Sequence, residues 1–205
     1  MSGSTRQRLL ERGEYHRVTV DPVLLAPLDT YFELLQRWNQ TINLTALGDS
    51  DQAIDRLLVE PISAATHLPK GRRLLDLGSG GGSPAIPLAL ATRAEQLSMV
   101  ESRTRKAAFL WEVVRQLDLN AQVHTERVED LCINHKFRAS WDVVSARGIR
   151  MDSPFLAAGS DALRPGGVLA LFVSKLPAVP GSYRAGPPIP LLRGIESNLI
   201  IINRP

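Results

Sequence analysis

The chain reads as an α/β protein with a mostly parallel sheet, helices on both faces and a helical extension at its N-terminus. Three observations predict this. From Arg73 onward, short apolar runs of strand character alternate with helical ones. A glycine-dense loop, Gly78-Ser79-Gly80-Gly81-Gly82, joins the first strand, Leu74–Leu77, to a helix that Pro84 opens. Before Arg73 the apolar residues recur mainly at helical spacing.

The N-terminal elements follow in order. Arg6, Arg8, Arg12 and Arg17 surround Leu9-Leu10, and this start is expected to be a solvated terminus rather than a short basic helix. Asp21-Pro22 has the form of a cap followed by a first-turn proline. Leu24, Leu28, Tyr31, Phe32, Leu35 and Trp38 then recur with the period of a helix that buries one face. Asn39 to Thr45 breaks the period and predicts a structured turn, with Trp38 packed and the asparagines pinning the turn. Asp49 to His67 predicts another helix, disturbed at Pro61. The expected division is an N-terminal helical extension over 1–70 and a ligand-binding domain over 71–205.

Within that domain the expected runs are Leu74–Leu77, Pro84–Ala91, Leu97–Glu101, Arg105–Leu117, Ala121–Thr125, Arg127–Leu131, Trp141–Ala146, Ser153–Leu163 and Val168–Ser174. A proline- and glycine-rich stretch, Pro177 to Pro190, precedes a last strand at Asn198–Ile202. In such a sheet the ligand lies beyond the carboxyl ends of the strands, where Asp76, Glu101 and Arg147 all sit.

Composition narrows the function classes. With 205 residues, 44% of them hydrophobic, the chain can bury a sizeable core. No apolar run is long enough to span a membrane, and no signal-peptide pattern opens the chain. Cys132 is the only cysteine, and His16, His67, His124 and His135 lack metal-ligand spacing. These features predict a cytoplasmic protein with no metal and no membrane partner, expected to act as a monomer. The net charge of +3 permits a nucleic-acid partner without demanding one.

The glycine loop carries the first chemical signal. Glycine admits positive φ and lets backbone approach a ligand with no Cβ in the way. The adjoining helix N-terminus offers free N–H groups. Glu101 follows the second strand about 20 residues later, where an acid suits the two hydroxyls of a ribose. A nucleoside-containing cofactor is therefore expected. Gly80, Gly82 and Ala85 fit a nicotinamide fingerprint. Asp76, Gly78, Gly80 and Gly82 equally fit the frame D-x-G-x-G-x-G, which resembles motif I of the S-adenosylmethionine-dependent methyltransferases. Electrostatics favours the second, because an acid before the loop suits a cationic ligand and repels a pyrophosphate.

A wider resemblance covers most of the chain. Tyr31 to Thr45, with Trp38-Asn39 and Asn43-Leu44-Thr45, is similar to the N-terminal W-N-x-x-x-N-L-T signature of the RsmG (GidB) family. Leu75 to Ala89 resembles the family's L-D-L-G-S-G-A-G-F-P-G-I-P-L-A. Glu101 to Leu110 resembles its D/E-S-x-x-K-R-x-x-F-L, Arg127–Asp130 its R-A-E-E, Ser145–Arg147 its T/S-A-R-A, and Leu163–Gly167 its L-K-P-G-G. The chain also departs from the family. Ser83 stands for the motif-I phenylalanine and Ala85 for the next glycine. Arg56-Leu57-Leu58-Val59-Glu60-Pro61 stands for R-H-x-x-D-S. Gly148 follows Arg147 in place of alanine, Leu176 follows Lys175 in place of glycine, and the stretch from Pro177 to Gly194 is short.

The resemblance implies a Rossmann-like class I methyltransferase fold. It also implies S-adenosylmethionine as cofactor and methylation of the 7-position nitrogen of a guanosine in 16S ribosomal RNA, as naked RNA or in the small ribosomal subunit. Gly78, Ser79, Gly80 and Gly82 would hold the methionine part, with Asp76 near its cationic end. Glu101 would hold the ribose, and Val128 and Glu129 the adenine. Arg147 would be catalytic, holding the target nucleotide or its phosphate, and would also contact the cofactor; Lys175 would be a second catalytic residue, contacting phosphate. Ion pairing is the competing role for Arg147. Arg103, Arg105 and Lys106 crowd a helix start, which the helix dipole disfavours; they are RNA-contact candidates, with pairing to Glu112 or Asp76 as the competing role. Two other readings remain open at this point: a methyltransferase acting on a small molecule, and a non-catalytic paralogue that binds cofactor or RNA. A nicotinamide oxidoreductase is disfavoured by Asp76.

Overall fold

The computed structural model describes residues 4–133, 137–148, 152–174 and 184–204, with backbone alone for 131–133 and 153. Seven strands form one sheet: β1 (Arg73–Leu77), β2 (Gln96–Val100), β3 (Ala121–His124), β4 (Trp141–Arg147), β5 (Leu163–Val173), β6 (Ile189–Pro190) and β7 (Asn198–Asn203). Their order is β3-β2-β1-β4-β5-β7-β6. The first five are mutually parallel, and β7 runs antiparallel to both β5 and β6. The order reverses between β1 and β4, which opens a crevice at their carboxyl ends.

The central strands are mostly apolar, as suits a sheet covered on both faces, with Asp76, Ser98, Asp142 and Ser145 as buried polar exceptions. Side chains alternate in direction along each strand. Leu74, Val143 and Ala170 join one buried cluster, while Leu75, Leu77, Val144 and Leu171 join another on the opposite face. The first cluster takes in α2 (Leu25–Asn39), α5 (Ala85–Thr92) and α6 (Thr104–Gln116); the second takes in α8 (Ser153–Ala162). A short helix, α7 (Val128–Ile133), follows β3. β5 begins at Leu163, earlier than the expected Val168, because Leu163 pairs with Trp141 before a register shift in β4.

The arginine-rich start is a helix, α1 (Thr5–His16), which corrects the expectation of a solvated terminus. Ser4 caps it by accepting from Gln7 N–H, and Leu9 is fully buried. Its cations are held by acids far along the chain: Arg8 by Asp49 and Asp51, and Arg12 by Asp55. His16 Nδ1 accepts the Arg193 N–H at 3.1 Å, so Nε2 carries the proton that faces Asp55 at 3.0 Å. Asp21 and Pro22 form the expected cap, with Asp21 accepting from Val23 N–H.

The helix expected over 49–67 has an internal change of register. It consists of α3 (Asp51–Ile54), a π turn (Asp55–Val59) and α4 (Glu60–Ala65). The disturbance lies before Pro61 because proline's missing N–H and its ring act on the preceding turn. The Glu60 N–H reaches back to Asp55 O, and Pro61 has none to give. The α-helical donors for Arg56 O and Leu57 O are thereby removed. Both carbonyls bond elsewhere: Arg56 O accepts from Arg147 and Leu57 O from Ser83 Oγ at 2.7 Å.

Candidate functional site

The crevice is a cavity of about 1250 Å³, lined by the glycine loop, the end of β2 and start of α6, the residues before and within α7, the end of β4, α8 and the turn after α2. Gly78 and Gly80 hold φ of 75° and 53° and leave backbone as the floor. Gly82 plays another part. A Cβ there would come within 2.6 Å of Ile86 Cδ1 and 3.3 Å of the Tyr31 ring. It lies under the loop, and Gly81 lines the cavity in its place. The Tyr31 hydroxyl, fully buried, donates to Gly81 O at 2.6 Å and fastens α2 to the loop. Burial raises the Tyr31 pKa, so this donor keeps its proton.

Glu101 is mostly buried at the end of β2. One oxygen accepts the Gly80 N–H at 2.9 Å and the other the Arg103 N–H at 2.8 Å. A carboxylate offers about four lone-pair sites. Two remain, on a side chain that lines the cavity.

Asp76 stands in register with Ser145 across the β1–β4 pair, on the same face of the sheet. The Ser145 hydroxyl donates to its carboxylate at 2.5 Å, and neither residue is among those lining the cavity. Burial pushes the Asp76 pKa from 3.8 to about 6, opposed by bonds from Ser145 and Ser79 and by Arg147, and helped by Glu101. Its contact is with the floor of the site.

Arg147 ends β4 and lines the cavity. Nη1 donates to Arg56 O at 2.6 Å and to Glu60 Oε2 at 2.7 Å, and Nη2 to Ser83 O at 2.8 Å. Among the described residues three of its five N–H donors are thus used and two remain. Its acid partner is Glu60, not Glu101.

The turn after α2 forms the opposite wall. Asn39 Oδ1 accepts from Leu44 and Thr45 N–H, and Nδ2 donates to Thr45 O, so Asn39 pins the turn as its position predicts. Asn43 is exposed and has no side-chain hydrogen bond among the described residues. Trp38 packs edge-on against Phe109. Leu44, Thr45 and Leu47 line the cavity, with Leu35, Leu57 and Phe155.

Of the residues expected in the site, Gly78, Ser79, Gly80, Glu101, Val128, Glu129 and Arg147 line one cavity; Asp76 and Gly82 support it from below. Lys175 lies outside the described residues, as does His135. Arg103 and Lys106 line the rim, and with Arg105 they have no ion pair among the described residues. Glu112 pairs with Arg115 instead. Sequence reasoning passed over Glu60, whose one signal was a lone acid amid Leu57-Leu58-Val59 and Pro61-Ile62. It also passed over Arg56 and Thr45.

A nucleoside cofactor with a cationic amino-acid arm fits these residues. The floor is backbone with no Cβ on Gly78 or Gly80, and the buried acid Glu101 has lone pairs to spare. Among the described residues no group of three or more metal-ligating side chains exists, and no helix is long and apolar enough to cross a membrane.

The family model described as rRNA small subunit methyltransferase G matches residues 25–176. The chain is 35% identical over 204 residues to a ribosomal RNA small subunit methyltransferase G of Xanthomonas axonopodis pv. citri, covering 95% of this chain and 93% of that protein. It is 40% identical over 151 residues to the protein of the same name from Stenotrophomonas maltophilia, covering 73% and 69%. A SAM-dependent methyltransferase from Aquifex aeolicus shares the fold at a TM-score of 0.57 and 14% identity, over 76% of this chain and 93% of that one. The T. thermophilus 16S rRNA N2 G1207 methyltransferase RsmC, solved with AdoMet and guanosine, gives 0.50 at 20% identity, over 91% and 44%.

Proposed function

The chain belongs to the rRNA small subunit methyltransferase G (GidB) family, and on that premise we propose that it methylates the 7-position nitrogen of a guanosine in 16S ribosomal RNA, with S-adenosylmethionine as donor. The observation that carries this reading is one cavity holding both halves of such a site. A glycine floor with Glu101 lies on one side, and an anchored arginine with spare donors on the other.

The bound cofactor supplies an electrophilic methyl group on a sulfonium. The chain's own residues position and desolvate. Glu101 offers its two spare lone pairs to the ribose hydroxyls. Gly78, Ser79 and Gly80 offer backbone to the methionine arm, and Val128 and Glu129 flank the adenine. Asp76 supports the loop from beneath: the Ser79 hydroxyl donates to its backbone carbonyl at 3.2 Å, while its carboxylate accepts from Ser145. The guanine 7-position nitrogen already presents a lone pair, so the site needs no general base. Arg147 must therefore leave that nitrogen free, and its two open N–H donors suit guanine O6 or a phosphate oxygen. Leu35, Leu44, Leu57 and Phe155 exclude water from the cavity walls. Arg103 and Lys106, on the rim and without an ion pair among the described residues, suit the phosphates flanking a target base.

The test is calorimetric titration with S-adenosylmethionine, followed by tritiated methyl transfer to 30S subunits lacking the modification and nucleoside analysis of the product. Labelled 7-methylguanosine in 16S RNA, lost in Arg147→Ala while cofactor binding persists, is the expected result. Label at another atom, or only in small molecules, or binding without transfer, would overturn it.

A further inference from the structure

The Arg147 anchorage rests on a carboxylate that the reaction itself does not use. Glu60 is 1% exposed. Its Oε2 accepts from Arg147, and its Oε1 accepts from Arg56 Nη1 at 2.9 Å and from the Ser197 hydroxyl. Arg56 also reaches Glu196 O at 3.4 Å. One buried acid thus joins the π turn, α4, β4 and the loop before β7. Burying a carboxylate is costly, and an apolar side chain would serve packing alone at lower cost. Two guanidiniums on one carboxylate also leave the cluster with net positive charge toward the cavity.

The geometry of the guanidinium is what this arrangement controls. Arg147 is held at both terminal nitrogens by three acceptors on three segments. One of those acceptors, Arg56 O, is freed of its α-helical donor by the helix break, and a second, Glu60, is the residue at which the α register resumes. With both nitrogens fastened, the guanidinium plane cannot turn, and its remaining donors keep fixed directions.

We infer that Glu60 is a positioning residue for methyl transfer: it orients Arg147 toward the target nucleotide, with Ser197 and the π turn at Asp55–Val59 holding Glu60 in place. This rests on the proposed role of Arg147. A purely structural acid would, when altered, lower cofactor affinity and transfer together. A positioning acid leaves the glycine floor and Glu101 intact, and its loss acts only through Arg147.

The test is a double-mutant cycle on the full-length protein, with 30S subunits as substrate. Glu60→Gln should lower kcat/KM for RNA about a hundredfold, as a misplaced guanidinium would, with S-adenosylmethionine affinity by calorimetry changed less than about twofold. Glu60→Asp should recover part of the loss. In an Arg147→Lys background, Glu60→Gln should change the rate little, because the group it positions is already compromised. Additive losses, or cofactor affinity falling in step with the rate, would overturn the inference. If Glu60→Gln does not fold, Ser197→Ala is read by the same criteria, with a smaller loss expected. If Arg147→Lys transfers at the unaltered rate, the proposed role of Arg147 fails and the inference falls with it. Additivity with an impaired Arg147→Lys overturns the inference alone.

Discussion

Replacing Asp76 with asparagine should stabilise the folded protein at neutral pH and do so progressively less in acid. The carboxylate is 1% exposed, and burial lifts its pKa from 3.8 to about 6 against the opposing bonds from Ser145 and Ser79 and the charge of Arg147. Between those two values the folded chain keeps a proton that the unfolded chain has released. The stability contributed by this group is therefore complete below about pH 4 and is lost as pH rises through about 6. A difference of about two pKa units corresponds to about 3 kcal/mol. Asparagine cannot ionise, yet its side-chain oxygen can still accept the Ser145 hydroxyl that Asp76 accepts at 2.5 Å. Urea unfolding of both proteins from about pH 4 to pH 8 isolates the effect, because other titrating groups cancel in the difference. The stability of Asp76→Asn relative to the parent should rise by about 3 kcal/mol across that range. A difference that stays flat, or runs the other way, would mean that the hydroxyls and Arg147 hold Asp76 as an anion at no cost, and the burial argument would be refuted.

Glu101→Ala should weaken S-adenosylmethionine binding by about 2–4 kcal/mol, about thirty- to a thousandfold in Kd. It removes the ribose acceptor and also strands the Gly80 and Arg103 N–H groups; calorimetry reads the change, and unaltered affinity would remove Glu101 from the site. RNA binding should weaken with salt while cofactor binding does not, and Arg103→Ala with Lys106→Ala should flatten the salt slope by about 0.7 for each lost phosphate contact on single-stranded RNA. An unchanged slope in filter binding would place the RNA elsewhere. Ser83→Ala should cost about 1 kcal/mol by leaving Leu57 O unpaired, and less in a Pro61→Ser background, where an N–H is restored at position 61. Equal costs in both backgrounds by urea unfolding would break that link.

Much of the fold was legible because it depends on local pattern. The apolar runs at Leu74–Leu77 and Trp141–Ala146 are strands buried on both faces, and the glycine loop needs positive φ at Gly78 and Gly80. Glu101 and Arg147 were legible as site candidates because strand ends in such a sheet converge on one crevice. What escaped depends on partners distant in sequence. The arginines of α1 look like a solvated tail until Asp49, Asp51 and Asp55 are brought against them. Glu60 looks like an ordinary helix acid until Arg147, 87 residues on, is folded onto it.

The helix break shows how two apparent departures from the family pattern answer one another. Read separately, Pro61 and Ser83 each suggest damage: a proline inside a helix, and a small polar side chain where the motif has a phenylalanine. In space they address one atom. Pro61 brings no N–H to Leu57 O, and the Ser83 hydroxyl donates to that carbonyl at 2.7 Å. The next carbonyl back, Arg56 O, loses its α-helical donor to the π register and is taken by Arg147 at 2.6 Å. The Ser83 carbonyl in turn holds the other terminal nitrogen of Arg147. The two carbonyls that the helix break frees, Arg56 O and Leu57 O, are therefore both paired. The two substitutions join the glycine loop to the helix that carries Glu60, and the arginine is fixed by backbone on both sides. A buried carbonyl without a donor costs about 1–3 kcal/mol, so Pro61 without the Ser83 hydroxyl would be destabilising by about that much, and the hydroxyl relieves it. A residue-by-residue comparison of motifs scores them as two defects, whereas the hydrogen bonds make them one local solution.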